Sequence, residues 1–156
     1  MATFTNKFKS IKQDWTTPDI FFKRLDNEFH FTIDLAASES NAKVGRYYGS
    51  ETDALQMPWT GVGWLNPPYG AKTGKLSDWV KRGYEQTNEH KSTVVMFIPA
   101  RTNTRWFHSY CMKAQELRFI DGRPKFGDAK HGLPQPLVLV VFGPNNGTPK
   151  VSSYRA

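Results

Sequence analysis

Short apolar runs alternate with longer amphipathic stretches along the chain. The runs "VGWL", "STVVMFIPA", "ELRFID" and "LPQPLVLVVF" have the length and composition of buried strands, and the second suits the middle of a parallel sheet. An earlier run, "FTIDLAAS", predicts a short strand that ends at Asp34. Residues 16–29 and 76–90 instead place apolar side chains three or four positions apart, which predicts helices with one buried face.

The first of these helices has a recognisable start. Thr17 is placed to act as the N-cap, Pro18 suits the first helical position, and Asp19 falls in the first turn. Its apolar face repeats every four residues, at Phe21, Leu25 and Phe29. The second helix has a longer apolar face, formed by Leu76, Trp79, Val80, Gly83 and Tyr84.

Other segments are less regular. Residues 39–55 predict a short helix followed by a weak strand at 46–48, and "TRWFHSYCMKA" predicts a helix. From Gly143 onward turn residues dominate, which predicts a peripheral segment after a final strand. The alternation of strands and helices predicts an open, mainly parallel α/β sheet with helices on both faces. We divide the chain into a basic arm (1–13), one folded domain (14–142) and a C-terminal tail (143–156).

Composition narrows the class of protein. A chain of 156 residues with 38% hydrophobic side chains suits one globular domain, and no apolar run approaches the ~20 residues that cross a bilayer. The single cysteine, Cys111, cannot form an internal disulfide, which fits a reducing cytoplasm. The four histidines lack metal-ligand spacing, so no metal is expected. A net charge of +7 and a pI near 9.6 favour a polyanionic partner such as nucleic acid.

The strand "VGWL" runs directly into Asn66, Pro67, Pro68 and Tyr69. Ligands of open α/β sheets bind outside the carboxyl ends of the strands, so this loop is expected at the binding edge. Two prolines restrict the backbone and lack N–H donors while their carbonyls remain acceptors, which makes the loop stiff and rich in acceptors. A rigid structural turn is the alternative interpretation of the same four residues.

These four residues suit chemistry at an exocyclic amino group of a base. Such a nitrogen is a poor nucleophile because its lone pair is delocalised into the ring. The side-chain oxygen of Asn66 and the carbonyl of Pro67 are expected to accept its two hydrogens and to stabilise the positive charge that develops on it. The ring of Tyr69 is expected to replace the stacking that a flipped base has lost.

The tetrapeptide resembles the catalytic motif of the amino-methyltransferases, which methylate adenine N6 or cytosine N4 in nucleic acid with S-adenosylmethionine. Together with "DWTTPDIFFKRLDNEF", "DLAAS", "DAL", "IPARTNTRWFH" and "FIDGRPKF", it resembles the phage-type DNA N-6-adenine methyltransferase family over residues 14–142. The resemblance implies a Rossmann-like methyltransferase domain that uses S-adenosylmethionine and no metal, and that methylates a flipped adenine in DNA directly. It also implies a phage-encoded enzyme that works in the cytoplasm of a bacterial host and shields DNA from restriction.

The resemblance implies two segments that contact the methionine end of the cofactor. The family's helix start touches the cofactor, and the amides of a helix start suit a carboxylate. The matching residues here are Trp15, Thr16, Thr17 and Pro18. The turn after the first strand matches at Asp34, Ala36, Ala37 and Ser38. Asp34 is expected to pair with the methionine ammonium, although a glycine-rich turn is the more common form at this place.

The resemblance also implies contacts to the rest of the cofactor and to DNA. Asp53 is expected to accept a hydrogen bond from the cofactor's adenine amino group, with Leu55 against the ring, and Glu39 and Glu51 are both candidates for the ribose hydroxyls. Basic residues near the reacting edge are expected to contact DNA phosphates, although any single one is also explained as a solvated surface charge. These residues are Lys72, Lys75, Arg101, Arg105, Arg123 and Lys125.

Several alternatives stay open. Methylation of cytosine N4, of RNA or of a protein glutamine uses similar geometry, although Asn66 and the basic charge favour adenine in DNA. A non-catalytic module that only binds DNA or the cofactor would keep the same fold. A cytosine C5 enzyme would need a Pro-Cys nucleophile, and Cys111 follows Tyr110 instead. The recognition site stays open, and a homodimer would extend the DNA surface of so short a chain.

Overall fold

Six strands form one mixed sheet in the computed structural model, which describes residues 16–68, 74–125 and 135–156. The strands are β1 (Ile33–Asp34), β2 (Val62–Leu65), β3 (Thr93–Pro99), β4 (Glu116–Asp121), β5 (Leu137–Phe142) and β6 (Lys150–Arg155). Their order across the sheet is β1-β2-β3-β5-β4-β6. β5 runs antiparallel to both of its neighbours, and the other pairings are parallel. All strands except β5 therefore end at the same edge of the sheet, which we call the carboxyl edge.

Helices cover both faces of this sheet, which confirms the predicted α/β architecture. The α-helices are α1 (Asp19–Phe29), α2 (Leu76–His90) and α3 (Arg105–Ser109), and short 3₁₀ turns occupy Ala54–Gln56 and Cys111–Lys113. Side chains alternate along β3, so Val95 and Phe97 join the core under α1 while Val94, Met96 and Ile98 join the core under α2. Packing on both faces fixes the position of β3 and therefore of the carboxyl edge at its end.

Close packing of α2 depends on Gly83, which the sequence places on the buried face. A Cβ atom at this position would lie 2.9 Å from Met96 Cε and 3.0 Å from a ring carbon of Phe142. The helix therefore approaches β3 and β5 more closely than any larger residue allows.

β3 extends further than β2 at the carboxyl edge. Leu65, the last residue of β2, pairs with Met96, and β3 continues for three more residues to Pro99. At about 3.3 Å per residue, the end of β3 lies ~10 Å beyond the end of β2. The segment 100–105 therefore forms a wall beside the loop that follows β2.

The predicted short helix between β1 and β2 is wrong, whereas the weak strand predicted at 46–48 is present as a single bridge to β1. Residues 39–41 form turns, and strand pairing at 46–48 is reduced to one bridge between Asp34 and Tyr47. The carboxylate of Asp34 accepts the backbone N–H of Lys43, and the amide oxygen of Asn41 accepts that of Ser38. These local acceptors compete with helical hydrogen bonds, so the segment wraps around the end of β1 instead.

Two predictions near the C-terminus also need correction. The helix predicted over "TRWFHSYCMKA" ends at Ser109, and a 3₁₀ turn follows because Tyr110 leaves the helical region with φ of −125°. The segment after Gly143, predicted as turn-rich and peripheral, contains β6, which pairs in parallel with β4 over its whole length. Tyr154 anchors β6 by packing edge-on against Phe21 of α1. An edge strand needs few apolar residues, which is why its pattern was missed.

Candidate active site

The carboxyl edge brings the start of α1 against the end of β2. The side-chain amide of Asn66 donates from Nδ2 to the hydroxyl oxygen of Thr17 over 3.2 Å, and Thr17 is only 2% exposed. This bond fixes the rotation of the amide, so Nδ2 faces Thr17 and Oδ1 lies on the opposite side. An oxygen acceptor is thereby held at a defined place just past β2.

Thr17 is not the N-cap that the sequence predicts. Pro18 is the N-cap residue, with an extended ψ of 135°, and its carbonyl accepts the first helical bond from Phe22 at 3.0 Å. Pro18 supplies the extended backbone that an N-cap needs, which leaves the Thr17 hydroxyl to accept from Asn66.

The prolines after Asn66 continue the rigid segment. Pro67 is buried and Pro68 is half-buried, while Trp64 and Leu65 anchor the preceding strand with 1% and 0% exposure. The next predicted catalytic residue, Tyr69, lies outside the described residues, as do Trp15 and Lys72. The buried end of β2 and the two prolines therefore restrict the backbone that carries the Asn66 side chain and the Pro67 carbonyl.

Asp34 organises the turn that follows β1. It is 3% exposed, and its carboxylate accepts the backbone N–H of Ala36 at 3.2 Å and of Lys43 at 3.0 Å. Burial raises the pKa of Asp34 to about 6, because the two amide donors and the charge of Lys43 only partly offset desolvation. The structure shows Asp34 holding its own loop, and its predicted pairing with a ligand ammonium stays a prediction.

Every backbone N–H from residue 34 to residue 38 already has a protein acceptor. The acceptors are the carbonyls of Arg46, Trp64 and Tyr48 and the side chains of Asp34 and Asn41. The half-buried Ala36 and Ala37 offer small side chains, and Ser38 is exposed, with its hydroxyl 3.0 Å from that of Ser40. A ligand at this turn would therefore meet carbonyls and open space rather than donors.

An ion pair joins this turn to α1. The ammonium of Lys43 lies 2.5 Å from the carboxylate of Asp19, and the Lys43 side chain is 11% exposed. The bond to Lys43 lowers the pKa of Asp19 below its usual range. The start of α1, the turn after β1 and the loop after β2 are thus linked to one another, with Thr16 and Pro18 half-buried at the junction.

Asp53 and Leu55 lie on a separate turn at residues 53–59. Asp53 is exposed and precedes the 3₁₀ turn Ala54–Gln56, and Leu55 is half-buried against the core under α2. Both ribose candidates are exposed: Glu39 lies in the turn after Ser38, and Glu51 follows the bridge between Asp34 and Tyr47. Since Glu39 and Glu51 are both exposed to solvent, exposure does not favour one of them over the other for the ribose hydroxyls.

Five side-chain hydrogen bonds hold the turn 53–59, and the sequence did not predict them; in one of them the hydroxyl of Ser92 donates to Trp59 O at 2.7 Å. Trp59 donates from Nε1 to the Ala54 carbonyl and from its backbone N–H to Gln86 Oε1, at 2.8 and 2.9 Å. The guanidinium of Arg82 donates to Met57 O at 2.6 Å, and the hydroxyl of Tyr48 donates to Pro58 O at 2.8 Å. One signal was available in the sequence: Gln86 continues the apolar face of α2, and it is 4% exposed.

The predicted DNA-contacting residues that the structure describes are all exposed. Lys75 precedes α2, while Arg101 and Arg105 lie on the wall after β3. Arg123 and Lys125 follow β4, which is three strand positions from β2 and so ~14 Å away across the sheet. The structure places all five at the carboxyl edge but divides them into two groups.

Cys111 is unsuited to nucleophilic chemistry. Its side chain is fully buried, and burial raises the pKa of the thiol well above its usual range. Over residues 16–68, 74–125 and 135–156 no three His, Cys, Asp or Glu side chains are grouped as metal ligands. No helix in these ranges is long and apolar enough to span a membrane.

Comparison with known proteins identifies the family. A profile described as DNA N-6-adenine-methyltransferase (Dam) matches residues 4–142. The DNA N-6-adenine-methyltransferase of Haemophilus phage HP1 is 32% identical over 153 residues, which cover 92% of this chain and 86% of that protein. The protein of the same name from Escherichia phage T1 is 32% identical over 121 residues, covering 75% of this chain and 48% of that protein.

A shorter match is consistent with these. The putative methyltransferase YfdM of Escherichia coli K12 is 33% identical over 72 residues, covering 41% of this chain and 79% of that protein. The span matched by the family profile contains α1, strands β1 to β5 and the Asn66 loop. The chain therefore belongs to the DNA N-6-adenine methyltransferase (Dam) family, as its motifs suggested.

Proposed function

We propose that the protein transfers a methyl group from S-adenosylmethionine to the N6 amino group of an adenine flipped out of DNA. The observation that carries the proposal is the bond between Asn66 Nδ2 and the Thr17 hydroxyl. It holds an amide oxygen, followed by a proline carbonyl, at the carboxyl end of β2 and beside the end of β1. Asn66, Pro67, Pro68 and Tyr69 form the catalytic loop in this proposal.

The two acceptors activate the target nitrogen. Asn66 Oδ1 and the Pro67 carbonyl accept its two hydrogens, which favours a pyramidal nitrogen whose lone pair points at the methyl group. S-adenosylmethionine supplies that methyl group on a positively charged sulfur. As the nitrogen–carbon bond forms and the sulfur–carbon bond breaks, the acceptors stabilise the positive charge that develops on nitrogen. The nitrogen then loses one proton to solvent and leaves as a methylated amine.

The start of α1 is the best candidate for the cofactor carboxylate. The first amides of a helix have no acceptor within the helix, and here the first helical bond is made by Phe22. The amides of residues 34–38 already have protein acceptors, so the turn after β1 offers no equivalent donors. The donors in question are the amides of residues 19–21, so the carboxylate is placed at the start of α1, next to the segment from Thr16 to Pro18, while Ala36 and Ala37 give room for the methionine chain.

The remaining cofactor contacts follow from the turn 53–59. Asp53 is exposed and accepts a hydrogen bond from the adenine amino group, and Leu55 packs against the ring. Methylation of phage DNA at specific adenines would protect it from restriction in a bacterial host. This role is supported by the relatedness to proteins of Haemophilus phage HP1 and Escherichia phage T1.

Product analysis tests the proposal. The purified protein is incubated with labelled S-adenosylmethionine and DNA free of adenine methylation, and the DNA is digested to nucleosides. We expect labelled N6-methyl-2′-deoxyadenosine with the native protein and with Asn145→Ala, which alters an exposed asparagine after β5, and none with Asn66→Ala. Label on cytosine would change the target base, and bound cofactor without any transfer would refute the catalytic proposal. Digestion of the product with adenine-sensitive restriction enzymes then tests protection.

A further inference from the structure

The segment after β3 carries a feature that the proposed chemistry does not use. An open recess of about 490 Å³ lies along α3 and the 3₁₀ turn after it. Its walls are formed by Asn103, Thr104, Arg105, His108, Ser109 and Lys113. Three of these residues are Arg, His or Lys, the others carry hydrogen-bonding groups, and none is acidic. We call this feature the α3 recess.

In the described part of the chain no ion pair neutralises the positive charge of the α3 recess. Residues 90–115 contain no Asp or Glu, although they include Lys91, Arg101, Arg105 and Lys113. Among the residues that the structure describes, neither Arg105 nor Lys113 forms an ion pair, and both are exposed. The Lys113 ammonium lies 5.9 Å from the ring centroid of Tyr84, which holds it near α2 without cancelling its charge.

The recess is rigid as well as basic. The Thr104 hydroxyl accepts the backbone N–H of Phe107 at 3.3 Å, and the His108 ring lies 2.7 Å from the Thr102 carbonyl. Phe107 and Cys111 are buried in the core under α2 and anchor the segment from below. The polar groups of the recess therefore hold their spacing before any ligand arrives.

The recess also lies at the right place for DNA. It begins on the segment 100–105, which follows β3 and lies ~10 Å beyond the end of β2. β3 is the strand next to β2, from which the Asn66 loop continues. Residues 105–113 then pack beside α2, with Lys113 near Tyr84. The recess therefore extends from the carboxyl edge along the side of the protein that α2 covers. Because β3 neighbours β2, a duplex whose base enters the Asn66 site lies beside the segment on which the recess begins.

We infer that the α3 recess binds the phosphodiester backbone of the DNA strand beside the target adenine. The inference rests on the proposed function and adds His108, Lys113 and Asn103 to the DNA surface. A polyanion fits better than a small anion, because the recess is open and its donors extend along a flank instead of converging on one point. Phosphate contacts of this kind fix the register of the protein on DNA without reading sequence.

The salt dependence of DNA binding tests the inference. We would prepare His108→Gln/Lys113→Gln together with Lys23→Gln, a matched loss of one lysine charge at an exposed position of α1, which covers the opposite face of the sheet from α2. The dissociation constant for a short duplex is measured by fluorescence anisotropy between 50 and 200 mM salt. We expect the double variant to bind about tenfold more weakly, with a salt slope smaller by about one. Lys23→Gln is expected to stay within about twofold of the native protein.

Turnover separates this inference from the proposed function. The double variant should keep the native kcat at saturating DNA and the native cofactor affinity, while its KM for DNA rises about tenfold. A native salt slope and dissociation constant in the double variant would overturn the inference and leave the proposed function intact. If the native protein binds DNA through the recess but transfers no methyl group, the proposed function fails and the inference holds. If the native protein binds no DNA, both fail.

Discussion

Two parts of the carboxyl edge are built in different ways. The first, which we call the Asn66 corner, consists of Thr17, Asp34 and Asn66: Thr17 accepts a hydrogen bond from Asn66, and Asp34 holds the turn after β1 by accepting two backbone N–H groups of that turn. The second, the Trp59 turn at residues 53–59, is held by five side-chain hydrogen bonds, four of which join it to side chains outside the turn, namely Tyr48, Arg82, Gln86 and Ser92. In the corner one side chain, Asn66, carries the proposed reacting group, whereas in the turn side chains from several neighbouring elements hold the backbone of a proposed binding surface.

Because of this difference, we expect mutations in the two regions to change different quantities. In the Asn66 corner the Asn66 side chain sets the place of the proposed acceptor, so a change of that side chain or of the Thr17 hydroxyl that accepts from it should lower kcat with little effect on cofactor binding. In the Trp59 turn the contacts support one another, so a change should weaken cofactor binding and stability gradually and leave kcat alone. The four predictions below test this division in order of expected effect.

The largest effect is expected at Asn66 itself. Asn66→Ala removes a group that acts on developing charge, so kcat should fall about 10²- to 10³-fold while the dissociation constant for S-adenosylmethionine stays within about threefold. Asn66→Asp keeps an oxygen acceptor and should retain a larger share of kcat. Single-turnover methylation and cofactor titration measure the two quantities. An unchanged kcat in Asn66→Ala would remove the corner from the mechanism.

The next effect concerns Asp34 and pH. Its pKa is raised from an ordinary 3.8 to about 6 in the folded protein, so between these pH values the folded state holds a proton that the unfolded state has released. Stability therefore falls as pH rises through this window, by about 3 kcal/mol for a shift of about two pH units. Below pH 3.8 the group is neutral in both states and costs nothing.

Asp34→Asn isolates this contribution from the other acids. The variant keeps the shape but does not ionise, and it loses the acceptor for the Lys43 N–H at every pH. We expect its free energy of unfolding relative to the native protein to improve by about 3 kcal/mol between pH 4 and pH 7. Urea unfolding at several pH values measures the difference. A difference that does not vary with pH would show that burial does not raise the pKa of this carboxyl.

A third prediction concerns the Trp59 turn. Gln86→Leu keeps the volume but removes the acceptor of the Trp59 backbone N–H, which should cost about 1–3 kcal/mol of stability. If the turn binds the cofactor's adenine, KM for S-adenosylmethionine should rise about tenfold with kcat within about twofold. Gln56→Leu, an exposed change on the same turn, is the control. A fall in kcat without a change in KM would contradict the division between corner and turn.

The sequence predicted the parts of this edge that depend on periodicity. Apolar runs identified β2, β3, β4 and β5, and helical spacing identified α1 and α2, because burial on the sheet demands those patterns. The position of Asn66 followed from the rule that parallel strands end at one edge. β6 escaped because "KVSSYR" is an edge strand with mostly exposed or half-buried side chains.

The contacts that position the site could not be predicted in the same way. Thr17 and Asn66 are 49 positions apart, and Gln86 reaches a backbone group 27 positions away. Such bonds depend on the packing of whole elements, which leaves only indirect signals such as a polar residue on an apolar helix face. The turns after β1 were missed because Asp34 and Asn41 bind the backbone locally instead of allowing a helix.

The smallest expected effect comes from the bond that joins α1 to the Asn66 loop. Thr17→Val keeps the shape and the burial of Thr17 but removes the oxygen that accepts from Asn66 Nδ2. The amide then loses one restraint on its rotation, which should lower kcat by about tenfold, equivalent to ~1.4 kcal/mol, with cofactor KM nearly unchanged. Thr17→Ser keeps the hydroxyl and should restore most of kcat. If Thr17→Val instead raised KM for S-adenosylmethionine and left kcat intact, Thr17 would act through the cofactor and not through Asn66, and the corner would resemble the Trp59 turn after all.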